Sequence, residues 1–444
     1  MYDPLSHSKI PSNQGYPNSF WAADTDKRLE FPAVTGEFTT DVVVIGGGYT
    51  GLACALELRK RNVEVALLEA NEIGWGAAGR NAGFALPGSG RLGYGKLKQA
   101  YGEEDAHEIV KEFYAAPEAL KTFIETHSLD VDLTPGGYLK IAHKPQYFQD
   151  FEQQLSELPE EFTKNLSLVN KDQLADTLLN TDQQHGGLYN SSSFGINPLK
   201  MALSMAELIQ QAGGKIYCNS PVSSYHHDGK SFVVATPKGT VRCKNVVLAT
   251  NAYTPNGSLP ALRSIQFPVL SSILVTQPLS DKQLESFKQA GLLCMDTRAL
   301  KYYYRLLPDN RLLFGGRGAV RGKNHDSNSI KKKLLGALKE SFPELNNMQI
   351  DYFWSGWVSV SQDQIPHVGC FPDNPEVYYA MGYCGSGVAF THTAGKRLAE
   401  LITAPEDVPE LPIYWRYPNA FPLAQFRRLG LWGYYQWQGL TDKV

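Results

Sequence analysis

Residues 41–70 read DVVVIGGGYTGLACALELRKRNVEVALLEA. Val42 to Ile45 is an apolar, β-branched run between Asp41 and a glycine, the pattern of a strand buried on both faces of a parallel sheet. Gly46, Gly48 and Gly51 follow at G-x-G-x-x-G spacing. The first permits a tight turn, the second lets backbone approach a pyrophosphate, and the third lets the next helix pack on the strand. Residues 50–62 have helical character, with Leu52, Ala55, Leu56 and Arg59 at helical spacings. A second strand over 63–68 ends at Glu69, whose carboxylate can accept hydrogen bonds from a ribose. Strand, glycines, helix, strand and acid in this order define a dinucleotide-binding unit, with pyrophosphate at the helix N-terminus, where unpaired N–H groups and the macrodipole favour negative charge. The acid disfavours a 2′-phosphate, so FAD or NAD is expected rather than NADP.

A chain of 444 residues exceeds one ordinary core, and two domains are expected. Its composition, 43% hydrophobic and 20% charged, is that of a soluble globular protein. A net charge of −3 leaves no polybasic face to attract nucleic acid wholesale. Cys54, Cys218, Cys243, Cys294, Cys370 and Cys384 are scattered without C-x-x-C pairs, which predicts free thiols in a reduced compartment and no metal site. The N-terminus lacks the basic and apolar regions of a secretory signal. No apolar run approaches the roughly eighteen residues that mark a spanning helix. A cytoplasmic protein, attached to the inner membrane at most peripherally, is expected.

Residues 1–35 are polar, rich in Pro, Ser and Asn, and read as an extended lead-in. The glycine-rich stretch 73–90 (IGWGAAGRNAGFALPGSG) suits either a surface loop or backbone running close against a planar ligand. Helices are expected over 94–127, 145–158, 199–212 and 328–341, and strands over 137–143, 215–218, 232–236, 240–242 and 245–249. Period-two stretches at 272–276, 302–307 and 311–315, the last two joined by the turn Pro308-Asp309-Asn310, predict an antiparallel sheet with one covered face. A buried strand over 377–381, then Gly382-Tyr383-Cys384-Gly385-Ser386-Gly387-Val388 and a helix to about 403, repeats the strand–glycine–helix logic.

Three motifs, GGGYTG with Glu69, IGWGAAGRNAG and GYCGSGVAFTHTAG, agree in order and spacing. Together with the YYYRLLPDNRLLFGG hairpin, the WSGWVSVSQDQIPHVG segment and the aromatic tail, the chain from about residue 19 onward resembles the FAD-dependent D-amino-acid-oxidase-like amine oxidoreductases, of the γ-glutamylputrescine-oxidising type. That resemblance implies α/β and α+β architecture: a glutathione-reductase-like FAD-binding Rossmann domain (36–90, 145–252 and 351–405) and a substrate domain on an antiparallel sheet (91–144 and 253–350). Residues 1–35 are then an extension and 406–444 an aromatic tail. By the same resemblance FAD is held by Gly46, Gly48, Tyr49, Thr50 and Gly51, with Glu69 and Ala70 at the ribose. Gly79, Arg80, Asn81 and Ala82 meet the pyrophosphate and isoalloxazine, and Val222 and Thr250 complete the adenine side. Gly385, Ser386, Gly387 and Val388 place N–H groups at the flavin's pyrimidine edge, where reduced flavin accumulates negative charge.

Three departures shape the functional expectation. Relatives of the sarcosine-oxidase kind attach FAD through a cysteine in the segment matching 358–362, which has none here, so FAD is expected to be noncovalent. They also hold the substrate carboxylate with a lysine where this chain has Ala389, and carry a basic residue near the flavin that 312–315 lacks. The expectation is therefore an amine whose charge lies elsewhere, such as a γ-glutamylated polyamine, with oxygen or a quinone as electron acceptor. The alternatives are a dehydrogenase of the same fold for pipecolate, proline, sarcosine or a D-amino acid, and, in another class, a flavin-bound electron-transfer or scaffold subunit.

Flavin amine oxidation needs position and desolvation more than acid–base groups, so the absence of a Ser-His-Asp or metal cluster is no obstacle. Tyr302 and Tyr304 share a strand face and are candidates for an aromatic wall around the amine, against the bland reading of sheet packing. Arg317 and Trp357 are further pocket candidates; Arg305, Asp363, His367, His392, Cys384 and Trp354 read more simply as structural. The tail, FPLAQFRRLGLWGYYQWQGL, suits either a terminal helix packed on the substrate domain or a membrane-interface helix.

Overall fold

The computed structural model describes residues 1–26, 29–182, 184–257 and 259–441. Val42–Ile45 lies in the middle of a six-stranded sheet ordered Lys215–Tyr217, Val65–Leu68, Val42–Ile45, Asn245–Leu248, Asn374–Met381 and His367–Phe371. The first five strands run parallel, and the last closes the edge antiparallel. Burial on both faces follows from the unbroken apolar run. Val42 and Val44 pack in the cluster that holds the helices Tyr49–Lys60, Pro198–Gln211 and Gly387–Thr403. Val43 and Ile45 face the other way, against Phe232, Val234 and Val241 of a four-stranded sheet. The turn between strand and helix tolerates no side chain at Gly51, where a Cβ would stand 2.0 Å from the Gly46 carbonyl oxygen.

A second sheet has eight strands, in the order Ile350–Ser361, Gln266–Pro278, Arg311–Arg317, Tyr303–Leu306, Leu293–Asp296, Tyr138–Ile141, Gly187–Asn190 and Leu166–Val169. It is antiparallel, as the period-two stretches predict, except that Leu293–Asp296 and Tyr138–Ile141 run parallel. The predicted hairpin at 308–310 forms, with Asn310 left-handed. One face of this sheet, bearing Leu139, Cys294, Tyr304 and Phe314, is covered by the helix Asn328–Ser341 through Leu334 and Leu338. The other face looks toward the Rossmann domain.

The strands correct the expected domain boundaries. Leu166–Val169, Gly187–Asn190 and Ile350–Ser361 hydrogen-bond into the eight-stranded sheet, so much of 145–190 and 351–361 belongs with the substrate side. The chain crosses between domains more often than composition reveals. The lead-in is also no loose extension: Trp21 is buried and donates to the Asn81 carbonyl, while Asp3 accepts from the Gly322 N–H and pairs with Arg428. The terminal helix Arg427–Thr441 is fastened at its start, where Arg427 donates to the carbonyls of Arg263 and Gln266, and it buries the Tyr435 hydroxyl farther along. Leu429, Trp432 and Trp437 on the same helix stay exposed.

Gly51→Ala forces its new methyl against the Gly46 carbonyl, an overpacking that costs about 1–3 kcal/mol. The variant is expected to melt several degrees lower and to retain less cofactor on purification. An unchanged melting temperature with full cofactor content would contradict the packing assigned to this turn.

Candidate active site between the two sheets

A continuous cavity of about 730 Å³ separates the Rossmann domain from the open face of the eight-stranded sheet. Two helices begin on its wall. Tyr49–Lys60 starts after Gly48 and Gly387–Thr403 after Ser386; neither has a side-chain cap or an acid in its first turn. Their unpaired N–H groups and positive dipole ends therefore face the same space. The two starts are tied together by Thr50 Oγ1 and Tyr383 Oη, 2.6 Å apart in the interior.

At one end of the cavity stands Glu69, at the C-terminal end of its strand. Its carboxylate accepts from the N–H groups of Gly47 (2.7 Å) and Asn71 (2.9 Å), which fixes it toward the turn. Burial pushes its carboxyl above the ordinary value, opposed by those hydrogen bonds. Ala70, Val222 and Thr250 line the same end, with Gly46, Gly48, Tyr49 and Thr50 beside them. Arg80, Asn81 and Ala82 line the middle. Arg80 is buried, donates to the carbonyls of Trp75 (2.8 Å) and Ser355 (3.2 Å), and lies 4.9 Å from the Trp75 ring centre. Burial lowers the pKa of this guanidinium, and among the described residues no carboxylate pairs with it. A buried cation without a counter-ion beside two open helix N-termini is a donor set suited to an anionic dinucleotide. Gly385, Ser386, Gly387 and Val388 complete this wall.

Most of the expected residues thus come together, with instructive exceptions. Gly51 and Gly79 do not reach the cavity; a Cβ on Gly79 would stand 2.5 Å from the Gly74 carbonyl oxygen, so it serves packing of the loop. Tyr302 and Tyr304 lie on the wrong face. Tyr304 is buried in the core, its ring stacked on Phe314 at 5.5 Å, and Tyr302 packs against the same Phe314. The alternation holds with the faces exchanged: of these three tyrosines, Tyr303 is the one that lines the cavity. Its ring lies over Gly315, where a Cβ would approach it to 2.2 Å, and its hydroxyl bonds Ser271 Oγ at 2.8 Å. Arg317 lines the cavity, as does Trp357, although Trp357 is nearly inaccessible and donates to the Tyr2 carbonyl.

Arg305 is buried elsewhere and donates to the Ile196 carbonyl; Trp354 donates to that of Arg80. His367 bonds Asp363, and His392 packs on Phe123, where burial lowers its pKa to about 4. All six cysteines are free; Cys384 lines the cavity, and burial raises the pKa of its thiol.

Sequence reasoning missed Lys140, Lys301 and Arg91, all on the cavity wall. A signal for Lys140 was present: in the strand Tyr138–Ile141, Leu139 and Ile141 form the core face and leave Tyr138 and Lys140 on the other. A cross-strand row then runs Leu188, Lys140, Met295, Tyr303, Gly315, Ile273, and every member but Gly315 lines the cavity. These cations come from one strand (Lys140) and two loops (Arg91 and Lys301) outside 312–315, the one segment where a basic residue was sought.

Fold and site together define a flavin-dependent oxidoreductase, and the chain belongs to the FAD dependent oxidoreductase (DAO) family, whose model matches residues 41–401. It is accordingly an FAD-dependent oxidoreductase. It is 33% identical over 385 residues to the γ-glutamylputrescine oxidoreductase of Escherichia coli K12, spanning 87% of this chain and 88% of that one. Its fold matches L-proline dehydrogenase from P. horikoshii at a TM-score of 0.69 and 22% identity, over 86% and 96% of the two chains. Glycine oxidase from Geobacillus kaustophilus matches at 0.67 and 20%, over 87% and 98%.

Replacing the two neighbouring tyrosines separates the faces. Tyr303→Ala is expected to lower kcat/KM for amine oxidation at least tenfold with little loss of stability. Tyr304→Ala opens a core cavity costing about 3–5 kcal/mol, read as a lower melting temperature. The reverse pattern would contradict the assignment.

Proposed function

We propose that this protein oxidises the primary amine of a γ-glutamylated polyamine, such as γ-glutamylputrescine, to an imine that water then hydrolyses. The observation that supports the reading is one continuous cavity lined by Glu69 and the two helix starts and also by Tyr303. The named substrate of the Escherichia coli relative supports the choice of amine.

In this reading FAD, bound noncovalently, would supply the two-electron acceptor for hydride from the amine's α-carbon. The chain's residues bind and orient. Glu69, with Ala70 and Val222 beside it, takes the adenosine end; the N-terminus at Gly48 and the Arg80 loop take the pyrophosphate; the N-terminus at Gly387 takes the flavin's pyrimidine edge and stabilises charge there. Tyr303, fixed by Ser271, forms an aromatic wall that excludes water and holds the neutral amine against the reacting face. No lysine stands at Ala389, which is fully buried, so an α-carboxylate has no anchor at that position. Oxygen or a quinone would serve as the electron acceptor.

Anaerobic titration of the purified flavoprotein with a panel of amines and amino acids tests this. Bleaching of the flavin absorbance by γ-glutamylputrescine is expected without any partner protein. Bleaching only by proline, pipecolate, sarcosine or D-amino acids would establish the amino-acid alternative, and no bleaching by any of them would favour an electron-carrier subunit.

The tail supports a second element of the proposal, peripheral attachment to a membrane. Among the described residues no helix is long and apolar enough to cross one. Leu423, Phe426, Leu429, Trp432 and Trp437, each more than half exposed, present aromatic and apolar groups of the kind that settle at a lipid interface. Deleting 420–444 is expected to abolish co-sedimentation with lipid vesicles. Equal sedimentation of both forms, or of neither, would end this idea.

A further inference from the structure

The substrate side of the cavity carries more positive charge than the protein neutralises. Arg91, Lys96, Lys140, Lys301 and Arg317 line it, against a single carboxylate, Glu157. Among the described residues no carboxylate lies within ion-pair distance of Arg91, Lys140 or Lys301. The acid nearest in sequence to Lys301, Asp296, is already engaged by the Arg298 guanidinium and by the Tyr302 N–H at 3.0 Å. Lys140 runs over the Phe151 ring at 5.1 Å, and its charge partner Asp150 is solvent-exposed. Burial, then the like charges of Lys140 and Arg91, lower the Lys301 pKa to about 8. Half-buried ammonium groups gathered with no carboxylate at ion-pair distance destabilise a fold. A bound anion would remove that penalty.

We infer that Lys140 and Lys301, aided by Arg91, seat a carboxylate at the end of the substrate remote from the oxidised amine. Lys140 stands in the same cross-strand row as Tyr303, separated from it by Met295, so both ends of an extended substrate can be read by one sheet face. The pyrophosphate is served on the opposite wall by Arg80 and the helix starts, which leaves these lysines for a different anion. The inference rests on the amine-oxidation reading and sharpens it: the substrate is an ω-amine carrying a distant carboxylate, as a γ-glutamyl group provides. Specificity then comes from the charge at the far end and not from an α-carboxylate beside the flavin.

The test uses the FAD-loaded full chain and calorimetry with glutarate and with glutaramide, its uncharged analogue of similar size. Glutarate is expected to bind saturably, at least tenfold tighter than glutaramide. Its affinity should fall at least tenfold in the Lys140→Met/Lys301→Met double variant and persist in Lys140→Arg/Lys301→Arg, which keeps the charge should the methionine variant not fold. Equal binding of the two probes to the wild type, or no glutarate binding at all, would overturn the inference, as would methionine variants that bind glutarate normally. A second arm compares anaerobic flavin bleaching by γ-glutamylputrescine and by N-acetylputrescine, which lacks the carboxylate. At least tenfold preference for the former supports the seat, and equal rates overturn it while leaving amine oxidation intact. Glutarate binding without bleaching by any amine would sustain the anion seat and overturn the amine reading.

Discussion

The site depends on two helix starts held side by side. Thr50 and Tyr383 share a hydrogen bond of 2.6 Å in the interior, and through it the N-terminus after Gly48 and the N-terminus after Ser386 open on one cavity. These segments lie more than three hundred residues apart in sequence, joined by parallel strands that flank Asn245–Leu248. Neither helix caps itself, so each leaves backbone donors directed at the space between domains. An anionic cofactor is the partner those donors suit. Everything on the opposite wall is then positioned relative to that cofactor.

The opposite wall is a sheet with two chemically different faces. One face is closed by Leu334 and Leu338 of the helix that follows the hairpin, and it keeps Tyr304 and Phe314 stacked in a dry core. The other carries Lys140, Met295, Tyr303 and Ile273 in register across neighbouring strands. Gly315 interrupts that row because the Tyr303 ring occupies the volume its side chain would need. Aromatic surface near the reacting end and positive charge farther along the same row give a substrate direction as well as a place. The arrangement asks little of acid–base residues, in keeping with chemistry carried by the cofactor.

The Rossmann unit was legible in the sequence because its signals are local. A β-branched run, three spaced glycines and a terminal acid fall within one short segment, and strand, turn and acid fall where they predict. The second sheet was legible only in part, as strands at 137–143, 272–276, 302–307 and 311–315, and not as an assembly. Nothing local in 166–169 or 187–190 shows that these strands complete a sheet built mainly from residues a hundred positions later. Period two likewise separates Tyr303 from Tyr302 and Tyr304 but cannot name the buried face; helix Asn328–Ser341 decides that by covering one side. Lys140 escaped notice because a lone lysine in a strand usually means a solvated edge, Lys301 because it lies in the loop before Tyr303–Leu306, and only the tertiary fold turns these two inward. The lead-in misled through composition: its polar residues make hydrogen bonds to both domains.

A crystal structure of the holoenzyme with γ-glutamylputrescine, grown anaerobically after flavin reduction, tests the central claim most directly. The account predicts adenosine beside Glu69 and Val222, the flavin's pyrimidine edge at the Gly387 helix start, and its reacting face toward Tyr303. The ligand would lie along the Tyr303–Lys140 row. A flavin ring turned away from that sheet face, or placed beyond the reach of both helix starts, would contradict it.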